Sequence, residues 1–135
     1  MKKNGFSLIE LVVAMGIVGI LAAIAIPAYT AYTKTANRTD ATRTLTSSAQ
    51  ALERCYSQAF TYVGCTSAPT TPFTSAQGYY TVTITVPTAS TFSITATPVK
   101  APQTADSLCT SFTVNNAGTQ SATPAANTAT CWGST

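Results

Sequence analysis

The sequence predicts an α+β chain, a long N-terminal helix spine packed by a three- to four-stranded antiparallel sheet. Three observations predict it. An apolar run extends from Phe6 to Ala28, with no polar side chain between Leu11 and Ile26. Ala41, Leu45, Ala49, Leu52 and Tyr56 then recur at helical spacing. Beyond residue 78 the pattern changes to strict alternation, as in Tyr79–Val86 and Thr91–Thr97.

The first element follows a short basic start, Met1 to Gly5, which carries Lys2 and Lys3. At ~1.5 Å per residue, Phe6 to Ala28 makes about 34 Å of helix, enough to cross a hydrocarbon core of ~30 Å. Lysines on its N-terminal side place the N-terminus in the cytoplasm and the remainder outside. A secretory signal peptide would look similar, with a small-x-small site at Ala23-Ile24-Ala25. Glu10 separates the readings. A carboxylate inside an apolar span costs roughly 2.5–3.5 kcal/mol on insertion scales, and a discarded segment gains nothing from it. Gly16 and Gly19 permit close approach of neighbouring helices.

One helix is predicted from about Ser7 to about Tyr56, bent at Pro27, where a backbone donor is lost. In its second half Ser48 flanks the apolar face. Lys34, Arg38, Arg43, Glu53 and Arg54 fall mostly on other sides. This half is rich in Thr, a poor helix former, and depends on tertiary packing.

Pro69 and Pro72 mark a loop. The first hairpin pairs Tyr79–Val86 with Thr91–Thr97 across a turn at Pro87–Ser90. Tyr80, Val82, Ile84 and Val86 face inward from one strand, and Phe92, Ile94 and Ala96 from the other. Thr110–Asn115 makes a third strand, and Gly118–Ala122 a fourth after a turn at Asn115–Gly118. Trp132 is read as a packing anchor.

Composition excludes several functions. Charged residues make up 8% of the 135, against about 25% in ordinary soluble domains. The net charge is +3. Beyond Arg54 the only basic residue is Lys100, so a strong electrostatic hold on nucleic acid is not expected. The chain has no His, which removes Ser-His-Asp and Cys-His catalysis. Its four acids, Glu10, Asp40, Glu53 and Asp106, are too scattered for acid/base work or a calcium cage. No catalytic residue, metal site or cofactor is expected. Cys55, Cys65, Cys109 and Cys131 contain no C-x-x-C pair and read as two disulfides formed in an oxidising compartment. Of three connectivities, Cys55–Cys65 with Cys109–Cys131 joins neighbouring parts of the topology. A crossed pairing is the alternative.

Gly5-Phe6-Ser7-Leu8-Ile9-Glu10-Leu11 resembles the processing signature of type IV prepilins. The resemblance continues through Gly19, Pro27, Tyr29 and Tyr32, and the layout beyond resembles small pilins with two cysteine pairs. It implies the type IV pilin fold, cleavage after Gly5 by a prepilin peptidase, and N-methylation of the new terminus, Phe6. It assigns assembly roles to Glu10 and Pro27. It divides the chain into a leader at 1–5, a membrane and filament-core half-helix at 6–28, and a globular head at 29–135. The implied partners are other subunits in a homopolymer, and the assembly platform with its ATPases. The implied location is the inner membrane, then an extracellular fibre for adhesion, twitching motility or DNA uptake. A minor pilin that serves as a DNA or surface receptor is the alternative. A secretion pseudopilin is more remote, because its calcium ligands are not in evidence. Ser134 and Thr135 are candidates for O-glycosylation, set against a plain role for Ser and Thr as uncharged surface and strand formers.

Overall fold

Ser7 opens the first helix by accepting the N–H groups of Glu10 and Leu11 at 3.1 and 3.2 Å. The computed structural model describes residues 7–133. Helix α1 runs Leu8–Ala59 and stays helical through Pro27. The chain forms two compact units, Met1–Thr33 and Lys34–Thr135. In the first, the side chains from Leu8 to Ile26 are almost all exposed. Just past Pro27 the hydroxyls of Thr30 and Thr33 donate to the carbonyls of Ile26 and Tyr29, at 3.0 and 2.8 Å.

The second unit packs the rest of α1 under a five-stranded antiparallel sheet, ordered β1-β2-β3-β4-β5. The strands are β1 Phe73–Thr74, β2 Tyr80–Thr88, β3 Thr91–Pro98, β4 Ser111–Asn115 and β5 Gln120–Thr123. A short helix, α2 Thr128–Trp132, follows. The sheet exceeds the predicted three or four strands because β1 has only two residues, too few for alternation to show. Phe73 pairs with Val82, Val82 with Ala96, Ala96 with Phe112, and Phe112 with Ala122. That row crosses all five strands and lies in the core with Ala41, Leu45 and Leu52 of α1. Each large side chain buried there contributes roughly 1.5–3 kcal/mol.

Several boundaries move. Pro87 lies inside β2, not in the turn, and the β2–β3 register shifts between Thr85 and Thr88. A proline is tolerated at such an irregularity because its missing donor breaks no ladder bond there. The turn shrinks to Ala89-Ser90, closed by a 2.6 Å contact between the hydroxyls of Thr88 and Thr91. The fourth predicted strand starts later, at Gln120, since Gly118 occupies the turn with a φ of 72°. The helix reaches Ala59 and stops at Phe60, whose φ of 55° is left-handed. The Phe60 N–H still donates to Tyr56 at 2.8 Å.

The main departure is Arg38, predicted to lie off the packed face. It is 6% exposed and pairs with Asp106, 4% exposed. The pair is bidentate, Nε to Oδ2 at 2.8 Å and Nη2 to Oδ1 at 2.9 Å. Around it Lys34 Nζ donates to the Ala105 carbonyl at 2.7 Å. Buried Gln103 donates to the Lys34 carbonyl and the Tyr80 hydroxyl, at 3.2 and 2.7 Å. Asp40, also buried, accepts Ser75 Oγ at 2.5 Å and the Gln77 N–H at 3.1 Å. These bonds tie residues 34–40 of α1 to the loop before β4 and to the β1–β2 turn.

Removing one partner of a buried ion pair strands the other charge, at a cost of about 3–5 kcal/mol. We expect Arg38→Ala and Asp106→Ala each to lower stability on that scale, and Arg38→Met with Asp106→Leu to recover much of the loss. Thermal unfolding of the full chain in detergent micelles checks this.

Candidate assembly segment and nucleic-acid interface

Two regions of the molecule present groups that the fold does not consume. One is the apolar stretch of α1 in the first unit. An 18-residue window there reaches a mean hydropathy of 2.6, so this helix is long and apolar enough to cross a membrane. Glu10 is the sole acid in it and has no ion-pair partner among the described residues. A methyl group on Gly16 or Gly19 would meet nothing within 4 Å, so neither glycine serves packing inside the subunit. Gly5 and Phe6, the predicted processing site, lie outside the described residues, as do Ser134 and Thr135.

The other region is the surface of the second unit. Disulfides join Cys55 to Cys65 and Cys109 to Cys131, with Cα separations of 5.9 and 5.8 Å. The first ties the end of α1 to the following loop. Closing a loop of that size restricts the unfolded chain by about 3 kcal/mol. Beside it Tyr56 stacks on Tyr62 at 4.5 Å, and Tyr62 meets Phe92 edge-on at 4.9 Å. The Tyr62 hydroxyl donates to Glu53 Oε1 at 2.9 Å. On the β4–β5 side of the sheet Trp132 lies edge-on to Phe112 at 6.1 Å, and its indole N–H donates to the Ser121 carbonyl at 2.9 Å. Trp132 is therefore a packing anchor with one face left partly open.

The basic side chains divide into used and unused. Arg38 is consumed by Asp106. Lys34 is held by a carbonyl. Lys100 sits 5.4 Å from the centre of the Tyr79 ring. Arg43 and Arg54 are exposed and have no carboxylate partner among the described residues. Sequence reasoning placed both off the packed face without joining them. The signal was present in the spacing, since Arg43, Ser47, Gln50 and Arg54 recur at i, i+4, i+7 and i+11.

An apolar helix long enough for a membrane, a second helical half under an antiparallel meander, and a disulfide-bounded C-terminal segment define the chain as a type IV pilin subunit. Residues 1–26 match the prokaryotic N-terminal methylation motif. Residues 27–113 match the family described as type IV minor pilin ComP, DNA uptake sequence receptor, and the chain belongs to that family. The fold is also that of a solved structure, the selenomethionine crystal form of the Neisseria meningitidis non-core minor pilin PilV. That match has a TM-score of 0.51 at 22% identity, and it covers 67% of this chain and 87% of that one. No curated protein matches the chain in sequence. The family and fold are structural ones, not enzymatic ones.

Burial first, and then the hydrogen bond to Glu53 and its charge, push the Tyr62 hydroxyl from 10.0 up to about 12. The folded state thus holds this proton more tightly than the unfolded state does. Its contribution to stability is complete below about pH 10 and is lost as pH rises from 10 to 12. We expect Tyr62→Phe to flatten that part of the alkaline unfolding profile. Tyr80, whose hydroxyl burial also pushes up, keeps its own share.

Proposed function

We propose that the chain is a minor subunit of a type IV pilus that takes part in DNA uptake. Processing after Gly5 exposes Phe6, whose methylated amine stays cationic, and residues 6–28 hold the subunit in the inner membrane until the assembly machinery extracts it. The head, residues 29–135, is then displayed on the fibre. One observation carries the reading: the family of DNA-uptake minor pilins matches residues 27–113, directly after the methylation motif.

Glu10 supports the assembly half of the proposal. It pairs with the Phe6 amine of a neighbouring subunit, which neutralises two charges inside an apolar bundle and selects axial register. A general structural role in adhesion or twitching motility is the second reading, and the low surface charge favours it.

Loss of the gene separates the two. We expect cells lacking it to keep their pili and lose DNA uptake. Loss of the pili themselves would favour the general structural role. In the same cells Glu10→Leu is expected to leave the protein in the membrane fraction and deplete it from sheared fibres. Recovered protein should begin at methylated Phe6 by N-terminal sequencing and intact mass.

A further inference from the structure

The unused arginines border a surface groove on the second unit. One opening of about 600 Å³ lies between α1 and the β4–β5 turn and is lined by Gln50, Arg54, Asn116 and Gln120. A second of about 370 Å³ continues it, shares Gln50 and Gln120, and ends at Arg43 and Trp132. Together they make one shallow trough with an arginine toward each end.

Four features give this trough a ligand chemistry. Residues 43 and 54 are eleven apart, which places them about 20° apart around the helix and about 16 Å apart along it. That separation suits two phosphate rails flanking a DNA groove about 12 Å wide. Between them the amides of Gln50, Asn116 and Gln120 make no hydrogen bond within the described residues and are exposed. Amide side chains are the groups that read adenine edges bidentately. The β4–β5 turn that carries Asn116 is held in place, because Asn115 Oδ1 accepts the N–H groups of Ala117 and Thr119 at 3.0 and 2.9 Å. The single carboxylate lining the trough, Glu53, already accepts the Tyr62 hydroxyl.

The geometry points to this trough as the surface that contacts DNA, with Arg43 and Arg54 on phosphates and the three amides toward the bases. The inference rests on the DNA-uptake reading and specifies its site. An acidic segment of another protein would meet the same two guanidinium groups. DNA is the better fit because the charges stand at the ends of an uncharged amide row, and not in a cluster.

The test uses the full-length chain in detergent micelles and labelled, sheared chromosomal DNA of the producing organism. Two phosphate contacts correspond to a slope of about −1.8 in log affinity against log salt. We expect Arg43→Gln with Arg54→Gln to weaken binding about tenfold and to remove most of that slope, whereas Lys100→Gln changes affinity less than about threefold. Trp132, the only tryptophan in the chain, borders the trough, so its fluorescence in the unsubstituted protein should change as DNA binds. That readout does not depend on any variant folding. Unchanged affinity and slope in the double variant, or DNA binding that leaves Trp132 fluorescence untouched, overturns the site while the DNA reading stands. Normal DNA binding by a double variant that is depleted from fibres makes the trough a protein-docking surface instead. No binding by the unsubstituted chain removes both the site and the reading it rests on.

Discussion

The globular unit depends on covering one face of α1 between residues 37 and 52. That stretch contains Thr39, Thr42, Thr44 and Thr46, and Thr costs a few tenths of a kcal/mol per position relative to Ala in a helix. Its hydroxyls fold back on the helix, as Thr44 does on Asp40 and Thr46 on Thr42, at 2.7 and 2.8 Å. Such a segment does not hold itself. Leu45 and Leu52, fully buried under the sheet, supply what propensity lacks. The sheet in turn has a β1 of two residues and needs the helix as its second layer. Helix and sheet are therefore one cooperative unit, and the buried polar bonds from Arg38, Asp40 and Gln103 fix how the helix lies on it.

Low charge has a consequence for recognition. Of the five basic residues from Lys34 onward, Arg38 is spent internally, which leaves four for any phosphate backbone. Even if all four engaged, log affinity would change by only about 3.6 per decade of salt. A DNA receptor of this composition works by uncharged base contacts and by steric fit more than by electrostatic capture. The same composition keeps like charges few on a surface of Ser and Thr, which suits a subunit that stands close to other pilins in a fibre.

Much of this was legible in the sequence, and the limits have physical causes. The helix and the β2–β3 hairpin were visible because each repeats one period over seven or more residues. β1 was not, because two residues have no period and their pairing is set by Val82 and Thr81 across a loop. The extent of β2 was hidden by Pro87, which reads as a turn residue until the register shift beside it is seen. Arg38 read as a surface cation because its partner lies 68 residues away, in a segment whose composition marks only a loop. The trough was half legible. The arginine spacing on α1 is written in the chain, but Asn116, Gln120 and Trp132 reach it only through the sheet.

Arg38 and Glu10 together show how the chain handles charge in apolar surroundings. Both stand on α1, and an uncompensated charge in a dry setting is costly at either position. Arg38 is answered within the subunit by a bidentate carboxylate, so it acts on folding: the pair forms only when the loop carrying Asp106 lies against the helix. Glu10 has no such answer among the described residues, and the helix around it exposes Ile9, Leu11, Val12 and Val13. We propose that a neighbouring subunit compensates it, in the same place as it covers those side chains. On the pilin reading a neighbouring subunit supplies both at once, an amine for Glu10 and an apolar helix for the rest. Neighbours that are out of register would cover the apolar side chains and leave the carboxylate unpaired. On that proposal a single acid would make correct register the favoured one in an interface whose apolar contacts would otherwise allow sliding.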